Sequence, residues 1–541
     1  MAEVPPIRLL FCLALISIFP TRGASEQAPV RLIQADISSE AGPTSRMYNF
    51  CVGAGRANEG LRADWQRQLR LAHDECGFRY IRFHGLFCDD MGVYQEDRSG
   101  HALYNWQYVD ELFDFLQSIG MKPFVELGFM PSALASGQHT IFWYKANVTP
   151  PKDYAKWSGL ITAFVRHETE RYGRDEVRSW YFEVWNEPNL VGFWMGDTGG
   201  RSEKDFAPIA RAEYFKLYAA TSLAVKSVDA AYQVGGPATA GSGWIDEMLA
   251  YVTEKNLPLD FISTHSYATS SGYLDENGSA GTVFSHDYNA ITGEVKGVRA
   301  KIKASGRPEA GLHYTEWSSS YTPFDPIHDS YCSPAFILDK IRNVGAAADS
   351  MSYWTFTDIF EEAGPRMTPF HGGFGMLNYQ DIRKPSYYAF QFLNKLGNTQ
   401  LKSSDPASFV CRSDNGSVQA LFWDFTITNP GSSVINQEYY KADHPAAPKG
   451  QTEIHITGLK GRAYELTATR VGYRSNDAQA AYRDMGSPSQ LTRAQVAMLK
   501  EVSDGRPVLR ERIEPTEEGG FSRRFDIREN DVWFVELKPV P

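Results

Sequence analysis

Tyr181-Phe-Glu-Val-Trp-Asn-Glu-Pro-Asn189 decides how the rest of the chain is read. Apolar and aromatic residues carry it as a buried strand, and Pro188, which has no N–H to give a ladder, stops it. Glu187 is thereby set at the C-terminal tip of a strand, where a barrel of parallel strands keeps its reactive groups. Leu312-His-Tyr-Thr-Glu-Trp317 repeats the arrangement, with Glu316 at the tip. One glutamate at a strand end is ordinarily a solvated loop residue. Two of them on aromatic-rich strands, one locked between an amide and a proline, point instead to glycosidic-bond chemistry. There one carboxyl group serves as acid/base and the other as nucleophile or base.

Outward from these tips, short apolar strands alternate with longer amphipathic segments. The strands are expected at Tyr48–Gly53, Tyr80–Phe83, Pro123–Leu127, Trp180–Trp185, Gln233–Gly236, Phe261–His265, Leu312–Glu316 and Ser352–Phe356. Helical stretches such as Leu61–Cys76, Tyr154–Arg171 and Ala212–Val228 separate them. In Tyr154–Arg171, Trp157, Leu160, Ile161, Phe164 and Val165 recur at helical spacing. The count predicts an α/β fold, a (β/α)8 TIM barrel over residues 47–396. A dinucleotide-binding doubly wound sheet is rejected, because Gly53-Ala-Gly55-Arg-Ala-Asn58 lacks the third glycine.

After residue 397 the texture changes to short strands separated by Gly, Asn, Asp and Pro, which predicts a β-sandwich over 397–541. One helix, Gln490–Glu501, is expected within it behind a cap at Ser487-Pro-Ser. The early strand Val30–Asp36 has no barrel partner left, so residues 24–46 are assigned to the sandwich.

Residues 1–23 read as an export signal: Arg8, an apolar run from Leu9 to Phe19, and small residues near Gly23-Ala24. That run is too short to span a bilayer, so no membrane anchor is expected and the protein is read as periplasmic or secreted. Losing Arg8, Arg22 and Glu3 with it takes the net charge from −11 to −12, which argues against nucleic acid as a partner. The 12 Trp, 28 Tyr and 32 Phe suit stacking on sugar faces, although they are ordinary core material too. Five cysteines remain, an odd and widely spaced set. Cys76, His84 and Cys88 lack a paired C-x-x-C partner and are read as structural, so neither metal nor cofactor is expected. His167-Glu-Thr-Glu-Arg171 lacks the second histidine of a zinc-protease helix and is read as a solvated face.

Glu187 ends the fourth strand and Glu316 the seventh, so both open on one barrel face. Other tips add groups suited to a sugar: His84 after strand 2, His265 and Tyr267 after strand 6, and Trp354 on strand 8 with Glu361 and Glu362 just beyond. Asn186 is placed to hydrogen-bond a glycone 2-OH.

With these residues in view the chain resembles glycoside hydrolase family 39, and within it the bacterial β-xylosidases. The resemblance covers nearly the whole mature chain. It includes Gly53-Ala-Gly-Arg-Ala-Asn-Glu-Gly-Leu-Arg62, Tyr80-Ile-Arg-Phe-His-Gly85, Trp185-Asn-Glu-Pro-Asn189, Thr315-Glu-Trp-Ser318 and, past the barrel, Val471-Gly-Tyr-Arg-Ser-Asn-Asp477. Trp-Asn-Glu-Pro alone marks only a broad clan; the sandwich segments are more specific. The resemblance implies a retaining exo-β-xylosidase acting on xylo-oligosaccharides or other β-xylosides, with Glu187 as acid/base and Glu316 as nucleophile. It further implies glycone contacts from His84, Asn186, His265, Tyr267, Trp354 and Glu361, and Phe142, Trp143, Tyr321, His371 and Phe374 nearer the aglycone. The α-L-iduronidases of the same family are the alternative enzyme. A non-catalytic carbohydrate-binding protein is the alternative of another class, and it would have lost one of the two glutamates.

Overall fold

The computed structural model describes residues 30–272, 281–431 and 434–540, so the expected export signal lies outside them. Eight parallel strands close into a barrel in chain order: β1 (Cys51–Arg56), β2 (Tyr80–His84), β3 (Lys122–Leu127), β4 (Tyr181–Val184), β5 (Gln233–Thr239), β6 (Phe261–Tyr267), β7 (Gly311–Ser318) and β8 (Ser350–Tyr353). β1 starts later than expected because Met47–Asn49 tighten into a 3-10 turn ahead of it. The helix after β4 starts earlier, at Glu203, since the Ser202 side chain accepts from the Asp205 N–H and caps it upstream of Pro208.

Period-two alternation sends every second residue of each strand into the barrel, and these fall into layers. At the N-terminal end an aromatic floor of Phe50, Tyr80, Phe124, Tyr181 and Phe261 surrounds His313. Burial there pushes the His313 pKa down to about 4. One step up the same strands, Arg82, Glu126 and Glu183 form a charged layer without solvent access. The mouth lies above it.

The second module is two packed sheets. Seven strands run in the order Glu40–Pro43, Thr399–Leu401, Ser408–Arg412, Val418–Trp423, Val532–Val540, Ala463–Val471 and Leu509–Ile513. Three more are Arg31–Asp36, Pro448–Thr457 and Phe521–Arg528, the first pair parallel. Both strands that precede the barrel are thus built into this module. Ile33, Val410, Phe422, Ile454, Leu466 and Val535 fill its core. Phe392, on the last barrel helix, stacks on Phe534 at 5.1 Å and joins the modules. The module carries more helix than the one expected, Asn436–Tyr439, Ala478–Asp484 and Arg493–Val502, and the last is capped by the reciprocal Thr492–Gln495 capping box, not Ser487-Pro-Ser.

The five cysteines of the described residues are buried and unpaired. The helix motif at 167–171 is not a solvated face: His167 pairs with Asp110 at 2.6 Å, and Glu168 is fully buried. Among the described residues no helix is long and apolar enough to cross a membrane.

Candidate active site

The backbone itself aims the first glutamate. β4 ends at Val184, and both Trp185 (φ 71°) and Glu187 (φ 44°) take left-handed conformations that non-glycine residues avoid. The surroundings hold this turn. The Glu187 N–H donates to the Ala238 carbonyl at 2.8 Å, the Trp185 indole donates to the Phe193 carbonyl at 2.8 Å, and the Asn189 amide brackets the Ala240 backbone. The second glutamate is aimed by a register shift. Thr264 of β6 pairs with Tyr314 of β7 but His265 pairs with Glu316, so Thr315 is the extra residue of a bulge. Its hydroxyl donates inward to Glu183 at 2.8 Å.

These two devices bring Glu187 and Glu316 together, with His265 between them. An oxygen of each carboxyl group and a ring nitrogen of His265 all lie within 4.8 Å of one another. Glu187 is 8% and Glu316 5% exposed. Both oxygens of Glu316 accept hydrogen bonds, Oε1 from Arg82 Nη1 at 2.7 Å and Oε2 from the Tyr267 hydroxyl at 2.7 Å. Glu187 Oε1 lies 2.9 Å from His265 Nδ1. Burial pushes the Glu187 pKa up to about 7; Glu126 adds to the rise, while the positive charges of His84 and Arg82 oppose it. Burial also lowers His265 to about 4, so its imidazole is neutral at pH 7.

Beneath them lies a buried cation layer. Arg82 donates to Glu183 (2.5 Å), Glu316 (2.7 Å) and Asn186 Oδ1 (2.9 Å), and pairs with Glu126 at 2.9 Å. Burial alone would discharge His84, but Glu126, 2.6 Å from Nδ1, with Glu362 and Glu316 beside it, outweighs that and raises His84 to about 10. Its Nε2 sits 3.5 Å from Glu362 and 3.6 Å from Glu316. Asn186, fixed through its oxygen by Arg82, keeps its NH2 as the donor available to a ligand.

A cavity of about 970 Å³ opens over this pair. Of the residues expected in the site, His84, Asn186, Glu187, Glu316, Tyr267, Trp354, Tyr321, Phe142, Trp143 and Phe374 line it. Three do not. Glu361 turns away to bridge Arg56 (2.8 Å) and Arg62 (3.2 Å), and its neighbour Glu362 supplies the pocket carboxyl instead. His371 is held by the Thr368 carbonyl, its ring lodged where a side chain on Gly373 would collide with it. His265 has no exposed surface and touches Glu187 from below. Phe374 reaches the wall because buried Lys384 clamps its loop, bonding the Gly373 carbonyl at 2.7 Å and pairing with Asp329 at 2.6 Å and Asp358 at 3.1 Å.

Sequence reasoning missed Arg82, Glu126 and Glu183. The signal was present, since Tyr80-x-Arg82-x-His84, Phe124-x-Glu126 and Tyr181-x-Glu183 each put a charge on the inward register of an apolar strand.

A family model described as "Glycosyl hydrolases family 39" matches residues 31–518. A curated "Beta-xylosidase" of Geobacillus stearothermophilus is 43% identical over 393 residues, 70% of this chain and 74% of that protein. Another, from Caldicellulosiruptor saccharolyticus, is 38% identical over 487 residues, 88% of this chain and 93% of that protein. Among solved structures, a monomeric β-xylosidase from Caulobacter crescentus CB15 superposes with a TM-score of 0.88 at 41% identity, covering 95% of this chain and all of that one.

Proposed function

The chain belongs to glycosyl hydrolase family 39, and from that premise we propose that it is a retaining exo-β-xylosidase that releases xylose from the non-reducing end of β-xylosides, xylo-oligosaccharides among them. The observation that carries this reading is the paired environment of the two glutamates: Glu316 bonded at both oxygens by donors, Glu187 buried with a pKa near 7, and the carboxyl groups within 4.8 Å. A gap of about 5–5.5 Å between carboxyl groups serves double displacement; inversion needs a wider one to admit water.

In the first step a Glu316 oxygen attacks the anomeric carbon while Glu187 gives its proton to the departing glycosidic oxygen, forming a glycosyl ester. Loss of the Glu316 charge then lets Glu187 act as base. It takes a proton from water, whose oxygen attacks the same carbon and frees Glu316 with net retention. Asn186, Trp354, Glu362 and His84 surround the position of the sugar.

An iduronide is disfavoured by charge. A ring carboxylate needs a free cation, yet no lysine or arginine lines the cavity among the described residues, and the protonated His84 that does is already paired with Glu126 and faces Glu362. Export through residues 1–23 is part of the same proposal. Aryl β-xyloside, β-glucoside and α-L-iduronide should be assayed side by side, with NMR of the first sugar released. Preference for the xyloside and initial release of β-xylose are expected; preferred iduronide cleavage, or initial α-xylose, defeats the reading.

A further inference from the structure

The cavity is far larger than one pentose, and at about 970 Å³ it matches the upper range for drug-sized ligands. Its inner end carries the polar groups described above. Farther out, Thr269, Glu294 and Tyr321 add polar groups on the β6 and β7 side, whereas the opposite side of the outer wall is apolar. Ile141, Phe142 and Trp143 come from the loop after β3, and Leu190 and Phe193 from the turn after β4. The Phe142 and Phe193 rings meet edge to face at 5.4 Å, so the two loops form one surface. Leu190 closes the turn that begins at Glu187, its N–H bonded to the Glu187 carbonyl at 3.0 Å, and therefore stands beside the acid that protonates the leaving group. Trp143 is 56% and Leu190 40% exposed, yet Trp143 is not loose: its N–H donates to the Glu362 carbonyl at 2.7 Å and its ring abuts Gly364.

A second xylose on this wall would bring hydroxyl groups that need hydrogen-bond partners, and these five side chains offer none except the indole N–H. Large exposed apolar surface continuous with a reaction centre marks a binding site for an apolar group. We infer that the β3–β4 side of the outer pocket is an aglycone site for an apolar group, such as the alkyl or aromatic part of a xylosylated lipid-like or phenolic compound, in preference to a second xylose. The inference rests on the β-xylosidase reading and deepens it.

Full-length enzyme is assayed on methyl β-xyloside, hexyl β-xyloside and xylobiose. A sugar hydroxyl leaves more easily than hexanol, so chemistry alone favours xylobiose. Each buried methylene multiplies kcat/KM by about fourfold, so burying three of the five added in hexyl gives about a 60-fold gain over methyl. Hexyl is also expected to exceed xylobiose. Trp143→Ala, and independently Leu190→Asp should the first variant fold poorly, are expected to bring the hexyl-to-methyl ratio toward one. A wild-type ratio near one with xylobiose preferred overturns the inference and leaves the xyloside reading standing. Failure on all three while another glycoside is cleaved overturns both.

Discussion

At the tip of β7 both oxygens of Glu316 are bonded, one by a buried guanidinium and one by a phenol, whereas at the tip of β4 Glu187 is met by a neutral imidazole and stripped of water. The two strand ends reach their positions by different local means, a bulge at Thr315 and left-handed backbone at Trp185 and Glu187. The difference shows how one residue type can be fitted to the two roles proposed for it. Donors on both oxygens suit a carboxylate that must attack, and they hold it in the attacking geometry. Burial, which outweighs the opposing charges of His84 and Arg82, keeps a proton on the other carboxyl at neutral pH, ready to be given away.

The comparison breaks most completely at Glu316. Glu316→Ala leaves Arg82 and Tyr267 in place but removes the attacking atom, so kcat should fall by about 10⁴-fold or more whatever the leaving group. Azide, entering from the vacated side, should restore turnover and give the inverted α-xylosyl azide. Turnover within tenfold of wild type, or a β-azide product, would remove Glu316 from the nucleophile's role.

Glu187→Ala should cost less, and unevenly. Alkyl xylosides need their leaving oxygen protonated and should lose about 10²–10⁴-fold, while a dinitrophenyl xyloside should keep most of its first-step rate. Azide should here yield the retained β-xylosyl azide, since Glu316 still forms the ester. Equal losses on both leaving groups would mean that Glu187 is not the acid.

The barrel was legible because it rests on patterns that sequence carries directly: eight apolar strands and helical periodicity between them; β4, though, ends at Val184 where Trp185 turns left-handed, short of the Pro188 expected to stop it. That both glutamates stand at strand tips and share one cavity followed from strand-end logic. What was not legible is orientation beyond a strand's end. Glu361 and Glu362 are adjacent in a loop, and only the placement of Arg56 and Arg62, from β1 and the segment after it, decides which one faces the cavity. His265 stands at the correct tip, but the shift between β6 and β7 turns it under Glu187 instead of toward the cavity. Such facts arise from packing among distant segments, and no local window contains them.

The finest test of the comparison is the pH at which Glu187 loses its proton. Burial raises its pKa to about 7 and the charge on His84, itself held protonated to about pH 10 by Glu126, pulls the other way. In the proposed mechanism the protonated form of Glu187 is the working acid, so kcat/KM on an alkyl xyloside should fall as pH rises through about 7. His84→Gln removes one opposing positive charge and disfavours the carboxylate form of Glu187. The folded pKa must then rise, and the alkaline limb should move to higher pH although the rate at the optimum drops with the lost contact to the sugar. Glu316 keeps its bonds from Arg82 and Tyr267 in this variant. A limb that moves to lower pH would show that His84 does not set the proton affinity of Glu187, and one that stays at the wild-type position would assign the limb to another group.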